Sequence, residues 1–357
     1  MLRSERIENV AADCVYFKGD QPCQPHAHGG HTCRCALYRP LSKRVLFVQL
    51  SSPAEVIASS AILFRMKDDD PNIKITYLTA WPELLPTIVD EPLKFNAANL
   101  KRVEFNAFDN AYNLDMSLEA CAIFNGINAE NKNGFFFQNN RSAPLDDAAQ
   151  GIYLNKLFPK LSNKNVSLVR NIFQLCNVEY NMEMPFLKKT IAGDAKDIAI
   201  TTATDPDNPT MKSWTPALFA RLTDILYNNG YNPTILGTAE TYIKDSYIAS
   251  NSQGSYPGPL TIREMMDQIK SASTVISFAQ WTTQLSWAMG KEVIHVQGQI
   301  QKGQTEKIRR LTIVTPLIDI SKSDAIDTIL PENVADIILA GERNKIENKN
   351  PNEVSIH

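Results

Sequence analysis

The 357-residue chain has no surplus of positive charge: 36 Lys and Arg stand against 39 Asp and Glu, for a net charge of -3. Nucleic acid and anionic lipid both reward a basic excess, so binding phosphate polymers is not the expected activity. No apolar run approaches the ~18 continuous residues of a membrane span, and the opening "MLRSERIENVAADC" has no apolar core of signal-peptide length. The expectation is a cytoplasmic protein without a transmembrane segment. Low-complexity tracts and short-period repeats are absent as well. So are the Walker A pattern, G-x-G-x-x-G, G-x-S-x-G and H-E-x-x-H, so the commonest motif-defined enzymes lack their signatures here.

What is present is concentrated at first in one stretch. "CVYFKGDQPCQPHAHGGHTCRC", from Cys14 to Cys35, holds four of the six cysteines and three of the five histidines. In a reducing cytoplasm stable disulfides are disfavoured, and close-set thiols more often hold a metal. The spacing C-x8-C-x9-C-x-C is not a standard finger. Four thiolates nevertheless suit the tetrahedral preference of zinc, with Cys14, Cys23, Cys33 and Cys35 as ligands and His26, His28 or His31 as substitutes for one sulfur. A closed four-ligand shell would be structural, whereas an open three-ligand site would bind substrate. An iron-sulfur cluster or a disulfide clip are the remaining readings. Cys121 in "LEACAIF" and Cys176 in "IFQLCNV" sit singly among apolar residues and read as core.

Beyond residue 40 short apolar runs alternate with longer amphipathic ones, the pattern of parallel strands with crossover helices. "RVLFVQL" (44–50) reads as a buried strand and "SSPAEVIASSAILFRMK" opens a helix. "IKITYLT" (73–79), "KRVEF" (101–105) and "AYNLDM" (111–116) read as further strands, ahead of a helix-rich stretch from about 146 to 178. The alternation restarts at "KDIAITTAT" (196–204). "TPALFARLTDILYNNG" has Thr215 as N-cap, Pro216 at the first helical position and Gly230 past the end. "YNPTILG", a helix opened by the Thr261/Glu264 capping box, "TVISF", "TTQLSWAMG" and "EVIHVQG" complete a second series. The expected fold class is α/β, with two Rossmann-like domains facing across a cleft. The expected divisions are a metal-binding segment over 1–40, domains over 41–187 and 188–345, and a polar tail over 346–357.

Ligands of doubly wound sheets collect beyond the carboxyl ends of strands. In the turn "QLSSPAE", Ser51 and Ser52 offer hydroxyl and backbone donors, and Glu55 lies in the first turn of the next helix. Ser52-Pro53-Ala54-Glu55 also fits a capping box, in which Glu55 would only tie down the Ser52 amide. In the second half Lys212 precedes a helix N-terminus, a combination suited to phosphate, although a solvated loop lysine fits as well. Thr282 and Thr283 fall near another helix start, either as pyrophosphate donors or as plain N-caps. Glu240 follows a strand by a short Gly-containing turn, where a carboxylate can accept from ribose hydroxyls.

These three regions, "RVLFVQLSSPAEVIASS", "MKSWTPALFARLTDILYNNGYNPTILGTAE" and "LTIREMMDQIKSASTVISFAQWTTQLSWAMGKEVIHV", together resemble the family 9 glycosyltransferases, the heptosyltransferase family of GT-B fold. The likeness extends over most of residues 40–300. The cysteine stretch, "ELLPTIVDEPLKFN" and "NLDMSLEACA" are similar to one subgroup of that family. The resemblance implies transfer of a sugar, in that family often heptose from an ADP-sugar, to a lipopolysaccharide or protein hydroxyl. It puts the nucleotide-sugar in the C-terminal domain and the acceptor in the N-terminal one, with transient contact at the inner membrane face and oligomerisation both possible. Glu55 falls on the family's catalytic aspartate, Lys212 on its phosphate-binding lysine and Glu240 on its ribose-binding carboxylate, with Ser51, Ser52 and Asp115 on the acceptor side. Structural zinc is expected, and no catalytic metal.

The sequence departs from the family pattern at several points. Ala54-Glu55 replaces Gly-Asp, and Thr215 replaces the proline of K-x-W-P. Ala279, Gln280, Trp281, Thr282, Thr283 and Gln284 stand where the family has D-x-G-P-M-H. Helix-terminal amides do not depend on side-chain identity, so diphosphate binding can persist, whereas Trp281 can narrow the pocket. A GT-B scaffold without catalysis, acting in binding or assembly, is the alternative reading.

Overall fold

The protein is described by a computed structural model covering residues 10–19, 21–31, 33–157, 168–187, 194–206, 213–297, 311–314 and 325–347. The chain divides into two compact units, the first holding the described residues up to Met184 and the second those from Pro185.

The first unit opens with the cysteine stretch, which contains one short helix, α1 (Gln24–Gly29). It then builds a six-stranded sheet from β1 (Arg44–Gln49), β2 (Lys74–Thr79), β3 (Glu91–Lys94), β4 (Ala107–Asn113), β5 (Asn128–Gln138) and β6 (Arg141–Pro144), in the order β3-β2-β1-β4-β5-β6. The first five are parallel, and β6 returns antiparallel to β5. The two-residue turn between them has Asn139 and Asn140 both at positive φ, as a tight hairpin requires. Between the strands run α2 (Pro53–Asp69), α3 (Ala97–Phe105) and α4 (Leu118–Asn125), followed by α5 (Asp147–Leu157) and α6 (Leu168–Leu175).

β1 is central because it is apolar on both faces: Val45, Leu46, Phe47 and Val48 are all buried. Each such side chain contributes about 1.5–3 kcal/mol. α2 starts at Ser52, whose hydroxyl accepts from the Glu55 amide at 3.3 Å, with Pro53 pre-set for the first turn. It is buried almost continuously from Val56 to Leu63, because it lies between the sheet and α6.

The expected strand over 101–105 is instead the end of α3. Asn96 caps that helix through its side chain, which accepts from the Asn99 amide at 2.9 Å, and the residue that packs inward is Val103. The strand expected over 111–116 begins earlier, at Ala107, because its polar first half pairs with the equally polar β5, as in Asn110 opposite Asn131.

The second unit carries an all-parallel sheet of β7 (Asp197–Thr201), β8 (Asn232–Leu236), β9 (Thr274–Ser277), β10 (Glu292–Val296) and β11 (Leu311–Val314), in the order β11-β10-β9-β7-β8. Its helices are α7 (Pro216–Asn228), α8 (Tyr242–Ser250), α9 (Ile262–Ser271), α10 (Gln280–Ala288) and α11 (Pro331–Glu347). Trp214 is fully buried against Phe219 and Phe278, and its indole N–H donates to the Ile326 carbonyl at 3.0 Å. The tryptophan of "MKSWTP" is therefore a core anchor at the start of α7. The Thr261/Glu264 capping box forms as expected. No helix among the described residues is long and apolar enough to cross a membrane.

His295 on β10 is buried, with Nδ1 hydrogen-bonded to the Thr283 hydroxyl at 2.8 Å, and burial pushes its imidazole down to about 4. The folded protein therefore keeps it neutral where the unfolded chain, near its ordinary value of about 6.5, takes up a proton. The stability held above pH 6.5 is lost as pH falls toward 4, at about 1.4 kcal/mol per pH unit and about 3 kcal/mol in all. In urea unfolding followed over this window, wild type should lose stability relative to His295→Asn. A difference that does not change with pH would contradict the assignment.

Candidate functional site

In each sheet the chain reverses its winding direction at one pair of neighbouring strands, β1 and β4 in the first unit and β7 and β9 in the second. Loops leave such a pair in opposite directions and open a crevice at their carboxyl ends. The acceptor-side residues read from the sequence converge on the first of these points.

Asp115 follows β4, is 1% exposed, and accepts four hydrogen bonds. Its Oδ2 takes the amides of Leu50 at 2.8 Å and Ser51 at 2.7 Å. Its Oδ1 takes the Ser51 hydroxyl and the Ser117 amide, both at 2.7 Å. Asp115 thus fixes the turn after β1 rather than facing a ligand. Gln49, buried at the last position of β1, completes the turn: its Oε1 accepts from the Ser51 amide at 3.1 Å and the Ser52 amide at 3.2 Å. The Ser52 amide, which a capping box would assign to Glu55, is bound here by Gln49. Glu55 itself is half-buried, and its carboxylate takes a short hydrogen bond from the Gln49 side-chain amide.

The second switch point is arranged differently. Thr282 and Thr283 lie in the first turn of α10, but both are buried and their hydroxyls are turned into the sheet. The Thr282 hydroxyl meets Ser277 at 2.6 Å and Thr201 at 3.0 Å, while the Thr283 hydroxyl meets Ser277 at 2.9 Å and His295 at 2.8 Å. Neither is presented to a pyrophosphate. The first free amides of α10 are those of Gln280 and Trp281, and both donate to one carboxylate, Asp205, at 2.8 and 3.0 Å. Asp205 is 5% exposed, in the loop after β7. The Trp281 indole N–H donates to the neighbouring Thr204 carbonyl at 3.0 Å, so the same loop is fastened twice. An internal carboxylate fills the place where a helix N-terminus would take a phosphate.

Glu240 lies in a short 3-10 turn after β8 and is exposed. A short hydrogen bond from the Thr238 hydroxyl holds its carboxyl below the usual carboxylate range. Gly237 before it is required by packing, because a Cβ there would collide with the Asp245 carboxyl and the Thr241 hydroxyl. Lys212 lies outside the described residues.

The cysteine stretch forms its own recess in the first unit. Cys14, Cys23, Cys33 and Cys35 are free thiols and line one cavity of ≈ 310 Å³ together with His26 and His31. His28 does not line it. His26 Nδ1 meets the His31 carbonyl at 2.7 Å, and since a carbonyl can only accept, Nδ1 carries a proton and Nε2 is the ring nitrogen that can offer a lone pair when the ring is neutral. Among the described residues no three His, Cys, Asp or Glu side chains form a metal-binding group. The donors share a cavity without converging in it. Cys121 and Cys176 are buried, and burial raises both thiols, Cys121 to about 12, as expected of core residues.

Gln49 and Asp205 were not singled out in the sequence. Each had a signal: a polar residue ending an otherwise apolar strand, and an acid four positions beyond a strand end in "TTATDPD".

Replacing Asp205 by Ala exposes the two α10 amides. The expected result is a loss of about 0.5–2 kcal/mol in stability together with tighter binding of pyrophosphate, measured by urea unfolding and calorimetry on the same protein. Unchanged pyrophosphate binding would show that something other than Asp205 closes this position.

No protein-family model and no curated protein matches the chain. Solved structures do match. A family 9 glycosyltransferase from Veillonella parvula shares 13% identity at a TM-score of 0.65, covering 85% of this chain and 99% of that one. The E. coli heptosyltransferase WaaC with ADP shares 12% at 0.59, covering 84% and 98%. TibC, an iron-containing dodecameric glycosyltransferase of enterotoxigenic E. coli, shares 12% at 0.53, covering 85% and 77%. At such identities the likeness is one of architecture: two α/β sheets with helices, in the GT-B-like fold of heptosyltransferases and family 9 glycosyltransferases.

Proposed function

We propose that the protein is a glycosyltransferase that moves a sugar from a nucleotide-sugar, ADP-heptose being the first candidate, to a hydroxyl of a glycolipid or protein acceptor. The observation that carries this reading is Glu55, a half-buried carboxylate at the head of α2, at a switch point whose turn is fixed by Asp115 and Gln49. Gln49 takes the Ser52 amide and donates to Glu55, which orients this carboxylate at the turn as a general base must be oriented. The acceptor oxygen attacks the anomeric carbon, its proton passes to Glu55, and the bond from that carbon to the diphosphate breaks with its electron pair leaving on the diphosphate. Glu240, held ionised, accepts from the donor's ribose hydroxyls. Lys212 balances the charge on the leaving group. Heptosyltransferase structures determined with ADP and with ADP-2-deoxy-2-fluoro heptose support the choice of donor.

Incubating the protein with ADP-heptose and a lipopolysaccharide-core or hydroxyl-bearing protein acceptor tests this directly. Glu55→Gln should lower kcat about 10²–10⁴-fold while leaving donor binding intact, and Lys212→Ala should weaken donor binding. Transfer that survives Glu55→Gln removes the proposed base.

Asp205 favours a second reading, a GT-B scaffold that no longer transfers sugar and serves in binding or assembly. Its carboxylate already occupies the α10 amides, and Trp281 is packed beside it. The absence of a calorimetric signal with ADP-, GDP- and UDP-sugars would make this the better description.

The cysteine recess we assign to structural zinc. Four soft thiols and the free Nε2 of His26 suit that ion, and drawing them together would close the recess into a clip ahead of β1. Elemental analysis should find about one zinc per chain, and chelation should loosen residues 10–40 without affecting nucleotide-sugar binding. Iron with labile sulfide would replace zinc by a cluster.

A further inference from the structure

The first unit has another recess, at the end of the sheet opposite Glu55. β1, β2, β3 and β4 all start there, at Arg44, Lys74, Glu91 and Ala107, and the cysteine stretch passes over them at Phe17 and Lys18. The cavity measures ≈ 590 Å³, within the range of small-molecule sites. At ~3.3 Å per residue the six positions of β1 put it roughly 17–20 Å from the switch point.

Its charge is out of keeping with the chain. Among the described residues five cations, Lys18, Arg44, Lys74, Lys101 and Arg102, line it against a single carboxylate, Glu91, in a protein whose net charge is -3. Glu91 is already paired with Lys74 at 2.7 Å and accepts from the Thr76 hydroxyl at 3.2 Å. Lys101 pairs with Glu104 at 2.6 Å. Lys18, Arg44 and Arg102 make no ion pair among the described residues. The Arg44 guanidinium donates to the Ala12 carbonyl at 3.5 Å, and that of Arg102 to the Asn99 side chain at 3.4 Å. Both are long bonds to neutral acceptors.

Two guanidinium groups and an ammonium around one cavity repel one another until an anion enters. Their forked donors match the oxygens of a phosphate better than a single carboxylate would. The walls are not wholly polar: Phe17, Phe105 and Phe108 also line the cavity, and Phe105 is 86% exposed at the end of α3 beside Arg102. An aromatic side chain left in water beside unpaired cations is suited to the body of a ligand whose head is anionic.

We propose that this recess binds a phosphate-bearing ligand with an apolar or aromatic body, at a site separate from the sugar-transfer site and independent of that assignment. A soluble phosphate ester and the headgroup of an anionic lipid share this chemistry. Phenyl phosphate, followed by calorimetry on the full chain, probes the first source. Co-sedimentation with phosphatidylglycerol vesicles, against phosphatidylcholine vesicles, probes the second.

Binding of phenyl phosphate alone assigns a soluble ester, and sedimentation with the anionic vesicles assigns a lipid headgroup. In either case affinity should fall about tenfold or more in Arg44→Gln/Arg102→Gln and should weaken with added salt. Thermal midpoint and sugar transfer should stay at wild-type values in that variant. Should the double variant fold poorly, the exposed Arg102→Glu change is expected to give the same loss by charge reversal. The proposal is overturned if neither probe binds better than sulfate or neutral vesicles, or if binding survives these substitutions.

Discussion

Parallel strands end in loops whose backbone amides have lost their ladder partners, and every buried one must find an acceptor. Both halves of this protein meet that demand with a buried aspartate beyond the sheet. Asp115 gathers the amides of Leu50, Ser51 and Ser117, and Asp205 gathers those of Gln280 and Trp281. A carboxylate accepting several amide bonds is a strong local tie, because each bond is charge-assisted and removing the acid would leave buried donors unmatched. The shape of both switch points depends on these two side chains.

The same device has opposite consequences in the two sheets. In the first, Asp115 binds the turn from the β4 side, and with Gln49 it satisfies the amides ahead of α2. The Ser52 amide is then bound by Gln49 rather than by Glu55, whose carboxylate meets the Gln49 side chain at the head of α2. In the second, Asp205 binds the helix start itself. The dipole and free amides of α10 are neutralised from within, while the threonine hydroxyls face His295 and Ser277. A diphosphate entering here would have to displace a carboxylate already seated in a low-dielectric environment, where its own bonds are strengthened.

The α/β class was legible because buried parallel strands read as continuous apolar runs, as in "RVLFVQL" and "TVISF". The position of Glu55 was legible because a Ser-Pro pair after such a run marks a helix start. β5 was not, since "NAENKNGFFFQ" keeps polar side chains exposed or half exposed over its first six positions and has no buried residue before Gly134. "KRVEF" misled for the opposite reason: a five-residue fragment with one buried position carries no period, and its helical state is set by Asn96 outside it. The roles of Asp115 and Asp205 were beyond reach, because the sequence names an acid but not the amides that surround it. At "AQWTTQ" the likeness to a phosphate-binding segment rested on helix-terminal amides being independent of side chains. That holds for the helix but not for a neighbouring loop that competes for them.

The cysteine stretch also changes meaning with its position. Read alone it is a metal motif; in the structure it lies across the amino ends of β1 and β2, where Arg44 reaches the Ala12 carbonyl, Lys74 reaches that of Phe17 and Cys14 pairs with Pro40. It lines its own thiol-bearing cavity, and Phe17, Lys18 and Gly19 line both that cavity and the basic recess. A small segment with little apolar core of its own holds such a position poorly unless something staples it. Metal binding at the four cysteines would therefore act on the neighbouring recess by fixing Lys18 against Arg44. The two cavities share the stretch Phe17 to Gly19, so a metal ordering that stretch from one side would reduce the entropy cost of ordering it from the other.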